Sequence, residues 1–189
     1  MPSKFTTVLI AVSGTLALTF GVAAGGDAVA AAQSDQKIAS WSPSDLRVSK
    51  TLNPVTIGAC NAGFGDVSVA ALNAKGFGKI DLKCGHEKAG YVHIRTRHQR
   101  DWQTLVDQAG GGAPWDDLMM FALAQATSAP MTGFPRATPR DANKLCYVTP
   151  IQLKNRQGRV IKTFYPSVVV SKNNRIVITN FPTTTPYCN

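Results

Sequence analysis

Three successive segments between Lys144 and Phe181, "KLCYVTPIQLK", "RVIKTFYPSVVV" and "NRIVITNF", are rich in Val, Ile, Thr and aromatic residues. Their apolar positions recur with a period of about two, as in half-buried strands. Only "NRQG" and "SKNN" separate them, and connections this short force neighbouring strands to run antiparallel. Upstream, "DVSVAAL" and "GKIDLKC" predict two shorter strands joined through "NAKGFG". Residues 90–108 predict a helix, which "GGGAP" interrupts. Pro114 then suits the first turn of a second helix, "WDDLMMFALAQAT", where Asp116 and Asp117 complement the helix dipole. "SAPMTGFPRATPR" is a turn-rich link. The expected class is α+β, with N-terminal helices packed on a C-terminal antiparallel β-meander and two disulfides.

The N-terminus carries an export pattern. Lys4 precedes the apolar run "FTTVLIAVSGTLALTFGVAAGG", and Ala28 and Ala30 supply small residues at alternate positions. Residues 1–30 therefore predict a signal peptide. An uncleaved anchor is the competing reading, because the run approaches the ~20 residues that span a bilayer. Cleavage leaves about 157–159 residues, enough for one domain with a core. Residues 31–58 read as an irregular arm and residues 59–189 as a single α+β domain. The mature protein is expected to be extracellular, with no stable membrane association.

All four cysteines, Cys60, Cys84, Cys146 and Cys188, fall after residue 30. An even count in an exported chain predicts two disulfides, with three connectivities open. The favoured pairing is Cys60–Cys84 and Cys146–Cys188, the second fastening the C-terminus to an inner strand. Zinc held by Cys84, His86 and His93 is the alternative, although the chain has no C-x-x-C. No metal and no cofactor is expected.

The chain carries a net charge of +9. Removing residues 1–30 takes away one base, Lys4, and one acid, Asp27, so the balance is unchanged. Beyond Pro130 there are nine basic residues against one acid, Asp141. A surface of this kind attracts polyanions such as nucleic acid or anionic envelope polymers, or serves only to keep the protein in solution.

The three histidines, His86, His93 and His98, are confined to thirteen positions, with Arg95, Arg97 and Arg100 among them. At about 100° per residue, Tyr91, Ile94, His98, Trp102 and Leu105 form one helical stripe, with Val106 at its edge. His98 should therefore point at whatever the helix packs on, expected to be the C-terminal sheet. His93, Arg97, Arg100 and Thr104 lie on the other side. The two histidines do not share a face in an ideal helix, and converge only if the helix begins after His93. A packed core histidine and a solvated helix face are the bland readings of His98 and of His93 with Arg97. The chemical reading starts from pKa: imidazole exchanges protons near neutrality. Neighbouring guanidinium groups can hold a phosphate and stabilise charge that builds on it. Histidine with arginine, and no carboxylate cluster, suits RNA cleavage without a metal.

"GYVHIRTRHQRDW", followed much later by "RVIKTFYPSVVVSKNNRIVITNFPT", resembles the small toxin ribonucleases of the barnase–EndoU–colicin–RelE superfamily. The likeness covers roughly residues 88–185. There a helix with "HI..RH"-like histidines precedes a curved antiparallel sheet ending in a hairpin like "V.V...G.IITAYP". The resemblance implies an endoribonuclease in which His93 and His98 supply acid–base catalysis, either of them as the base or the acid, and Arg97 binds the scissile phosphate. Thr179 matches the threonine of the last strand. Lys162, Thr163 and Thr183 are further candidates for substrate binding. RNA or another polyanion is the implied partner, with a proteinaceous inhibitor as a second. This chain departs from the family in having its own export signal and two predicted disulfides, which suit a free extracellular ribonuclease. The alternative is a non-enzymatic, disulfide-stapled basic binding or inhibitor protein, for which His93, His98 and Arg97 matter only to folding. A metal-dependent hydrolase lacks nearby acids beyond Glu87 and Asp101. Neither G-x-S-x-G nor a Walker-type phosphate loop occurs.

Overall fold

The computed structural model describes residues 38–45 and 52–188. In chain order the elements are β1 (Ala39–Trp41), α1 (Pro54–Asn61), β2 (Ser68–Ala74), β3 (Gly78–Lys83), α2 (Tyr91–Gln108) and α3 (Trp115–Ser128). They continue with β4 (Arg136–Thr138), β5 (Asp141–Tyr147), β6 (Ile151–Lys154), β7 (Val160–Ser171) and β8 (Val177–Thr183). The expected leader, residues 1–30, lies outside the described residues, as do residues 31–37 and 46–51 of the arm.

The organising element is β7, twelve residues long. Along one of its edges β5 and β6 lie end to end. Lys144–Tyr147 of β5 oppose Ser171–Val168, and β6 residues Ile151 and Leu153 oppose Phe164 and Lys162. The break between them falls at Val148–Pro150, where Pro150 supplies no N–H to continue a ladder. The other edge of β7 pairs with β8, and Pro166 faces Pro182 across that pair. Neither proline can donate, so this position carries no ladder bond from either side. All three expected C-terminal strands are thus present, the first of them interrupted. The β7–β8 turn contains Arg175 at φ 59. Its guanidinium donates to Phe77 O at 2.8 Å and lies over the Phe77 ring, joining the turn to the β2–β3 hairpin.

Helix α3 is apolar almost all round, and Leu118, Met119, Ala122, Leu123 and Ala126 have no exposed surface. It packs between the sheet and the other elements, touching β7, β2, β1 and α2. Helix α2 runs against β8 instead. Gly90 precedes it at φ 86, where a Cβ would stand 2.7 Å from Lys83 O. Its N–H donates to Ile178 O on β8 at 3.1 Å, and Trp102 Nε1–H donates to Asn180 O at 3.1 Å. The helix thereby satisfies carbonyls on the strand edge that β7 leaves open.

The expected order, helices first and meander after, is not what forms. Strands and helices interleave: β1 precedes α1, and the β2–β3 hairpin separates α1 from α2. The reason is packing. Ile80 and Leu82 of β3 are fully buried, so the hairpin completes a core that α2 and α3 cannot close alone, and it touches β8, with Asp81 bridged to Ile176 just before that strand. The arm is likewise less irregular than expected. Ala39–Trp41 pair in parallel with Ile151–Leu153, and α1 starts at Pro54 behind an Asn53 side chain that accepts from Val55 N–H. Both favoured disulfides are present, Cys60–Cys84 and Cys146–Cys188. No described helix is long and apolar enough to cross a membrane.

Candidate active site

Helix α2 begins at Tyr91, ahead of His93. The condition set for convergence of the two histidines is therefore not met, yet their ring centroids lie 5.9 Å apart. Five residues of helix separate two side chains by about 140°, and this angle is overcome because both rings lean to the same side. His98 turns toward the sheet, as its place in the stripe requires, and stacks on Phe181 of β8 at 4.9 Å and 24°. It is only partly enclosed, with 22% of its side chain exposed.

Each imidazole is oriented through Nδ1. His93 Nδ1 lies 2.7 Å from Glu87 O, and a carbonyl can only accept, so Nδ1 carries the proton. His98 Nδ1 lies 3.2 Å from Asp101 Oδ2, and donates to that carboxylate in the same way. Both rings are held as the tautomer with an unprotonated Nε2 when neutral. Burial lowers the pKa of His98 below 6.5. The hydrogen bond and charge of Asp101 oppose that shift, whereas the charges of His93 and Arg97 add to it. Near neutral pH His98 is therefore uncharged and able to accept a proton.

Arg97 and Arg100 are exposed on α2 and make no ion pair among the described residues. With Arg95 and Gln103 they border a shallow depression of about 390 Å³. Arg95 is engaged, donating to the Asn61 side chain and lying over the Tyr91 ring. On the sheet side, Asp101, Lys162, Thr183 and Thr184 surround a cleft of about 220 Å³ over Phe164 and Leu105. Thr183 has its hydroxyl within 2.7 Å of both Tyr165 O and Thr185 O, so its one proton is committed to the backbone. Thr163 neighbours Lys162 in β7 and points to the opposite face of the sheet, exposed. Thr179 opposes Val169, and its hydroxyl is buried without a hydrogen-bond partner among the described residues.

The structure therefore gathers His93, His98 and Arg97 at one place and Lys162 with Thr183 beside it, and sets Thr163 apart; Thr179 lies on the same face of β8 as Phe181, two residues away. His86 also stands apart, exposed beside a different depression that includes Asp66 and Lys83. The zinc alternative loses its thiolate, because Cys84 is bound to Cys60. Asp101 is the residue that sequence reasoning undervalued. Its signal was there in the spacing His98-x-x-Asp101, which puts the two groups on adjacent turns of a helix. No protein-family model matches the chain, and no curated protein matches it in sequence.

Proposed function

We propose that this chain is a secreted endoribonuclease that cleaves RNA without a metal, by attack of a ribose 2′-hydroxyl on the adjacent phosphate. The observation that carries the reading is the pair of imidazoles 5.9 Å apart, each with Nδ1 engaged and no partner for Nε2 among the described residues. His98, kept neutral by burial, takes the proton from the 2′-hydroxyl as O2′ attacks phosphorus. The P–O5′ bond breaks, and His93 delivers a proton from Nε2 to the departing O5′. The products are a 2′,3′-cyclic phosphate and a 5′-hydroxyl. Two imidazoles supply both proton transfers, so no metal-bound water is required. Arg97 neutralises charge gathering on the phosphate oxygens. The paired cysteines fit an oxidising compartment, and the net charge of +9 favours encounter with a polyanion. The likeness of the histidine helix and the terminal hairpin to the toxin ribonucleases points the same way.

The test is a fluorescent-RNA cleavage assay in excess chelator with the oxidised mature protein. His98→Ala is expected to lower kcat by about 10²–10⁴-fold while melting as a folded protein, and the wild type is expected to yield 2′,3′-cyclic ends. Absence of cleavage, or equal trace cleavage by both proteins, overturns the reading. The stack of His98 on Phe181 favours the second one, a basic secreted binding protein whose histidines only pack.

The pH dependence follows from the same geometry. Cleavage requires neutral His98, so the acid limb of kcat/KM should have its midpoint below the ordinary histidine value of 6.5. Asp101→Asn removes the negative charge that raises this pKa, so the midpoint should move lower still. Loss of tautomer control should reduce kcat by on the order of 10²-fold at its optimum. An acid limb that stays in place in Asp101→Asn would assign the titration to another group.

A further inference from the structure

The two histidines are the beginning of a longer row of rings. His93 meets His98 edge to face, His98 stacks on Phe181, and Phe181 meets Tyr187 at 6.5 Å and 64°. The row leaves the helix, crosses the end of β8 and finishes in the C-terminal tail. Tyr187 is 45% exposed. It is nevertheless held. Cys188, the next residue, is buried and bonded to Cys146 of β5, which fixes the backbone beside Tyr187 to the sheet. Thr184, Thr185 and Pro186 are exposed and lead to it along the surface. An exposed aromatic ring with restrained backbone loses little freedom when a flat ligand lies on it.

From this arrangement we propose that Tyr187, supported by Phe181, is a stacking site for a nucleobase of a single-stranded nucleic acid whose backbone passes the His93–His98 pair. Only the position of the phosphate at the histidines rests on the ribonuclease reading. Bases present a flat π-face whatever their identity, and proteins that follow single strands combine aromatic platforms with cationic side chains. Both parts are here: the ring row, and two cations near it, Arg97, whose charge acts on His98, and Lys162, in the cleft with Asp101 and Thr183, neither in an ion pair among the described residues. A duplex keeps its bases stacked on one another and offers no free face to Tyr187, so the site selects single strands. In RNA it selects unpaired stretches and loops. Tyr187 is in this role a residue of substrate choice and takes no part in proton transfer.

Binding can be measured apart from cleavage, because DNA lacks the 2′-hydroxyl. A labelled single-stranded DNA of about 12 nucleotides is titrated with the oxidised mature protein and followed by fluorescence anisotropy. Tyr187→Ala is expected to weaken binding by about 5- to 100-fold, and Tyr187→Phe to stay within about twofold of wild type. An abasic oligonucleotide of the same length should bind wild type and Tyr187→Ala equally, since it keeps the phosphates and removes the bases. Equal affinity of wild type and Tyr187→Ala for the ordinary strand, with unchanged melting, overturns the proposal. So does a Tyr187-dependent affinity for a sulfated oligosaccharide that the oligonucleotide lacks. Strand binding that needs Tyr187 in a protein that leaves RNA intact would uphold the stacking site and remove the nuclease reading. RNA cleavage with unaltered KM in Tyr187→Ala would do the reverse.

Discussion

Trp102→Ala is expected to lower the stability of the protein by about 3–5 kcal/mol, a loss of on the order of 10 °C or more in Tm. The indole is fully buried and meets Phe164 of β7 edge to face at 6.0 Å, so its removal opens a cavity where α2 rests on the sheet. It also breaks the bond to Asn180 O, leaving a buried acceptor unpaired. Trp102→Phe separates the two effects. A benzyl ring refills most of the space but cannot donate, and the remaining deficit should be about 1–3 kcal/mol. Thermal melting of the two variants measures this directly. A Trp102→Ala protein within about 1 kcal/mol of wild type would mean that α2 is held to β8 mainly by other contacts.

Replacing Cys146 and Cys188 together by serine is expected to cost about 4 kcal/mol, because the bridge closes a loop between residues 42 apart and so restricts the unfolded chain. The buried serine hydroxyls add to the loss, since Cys188 and Cys146 sit with Val148 in a small apolar cluster of their own. Denaturant titration of the double variant should move the midpoint with little change in the native spectrum. The shorter Cys60–Cys84 bridge, between residues 24 apart, should contribute somewhat less on the same argument.

Much of this fold is written in local pattern. The apolar stripe of α2, the Pro114 and Asp116 start of α3, the Gly-rich turn between β2 and β3 and the short turns around β7 each specify their element within a few residues. Both cysteine pairings also agree with expectation. What escapes local reading is decided by partners distant in sequence. Helix α1 has only eight residues, with Gly58 in its middle and no clear apolar stripe, and is fixed by the Cys60 bridge. Strand β1 is three residues long and exists because β6 offers it an edge. The interleaving of strands with helices follows from burial of Ile80 and Leu82, which no periodicity announces.

The site was legible to the same degree. His98 facing the sheet follows from the stripe, whereas the closeness of His93 does not, because backbone angles ignore how far an imidazole can lean. Lys162 and Thr183 emerge beside Asp101, but Thr163 is carried away by the alternation of β7. The ring of Tyr187 reaches Phe181 only because a covalent bond directs the tail, a fact of chain crossing that no motif near Tyr187 contains.

The lodging of α2 against β8 has one more effect. A sheet grows by offering unpaired N–H and C=O groups to another chain, and the long strands of the main sheet offer few. β7 is flanked on both sides, and α2 occupies carbonyls on the outer side of β8. What remains at the ends of the main sheet is β1 and β4, three residues each. Edges so short are poor templates for intermolecular pairing, so the same helix that presents the histidines also shields the main sheet from pairing with other copies of the chain.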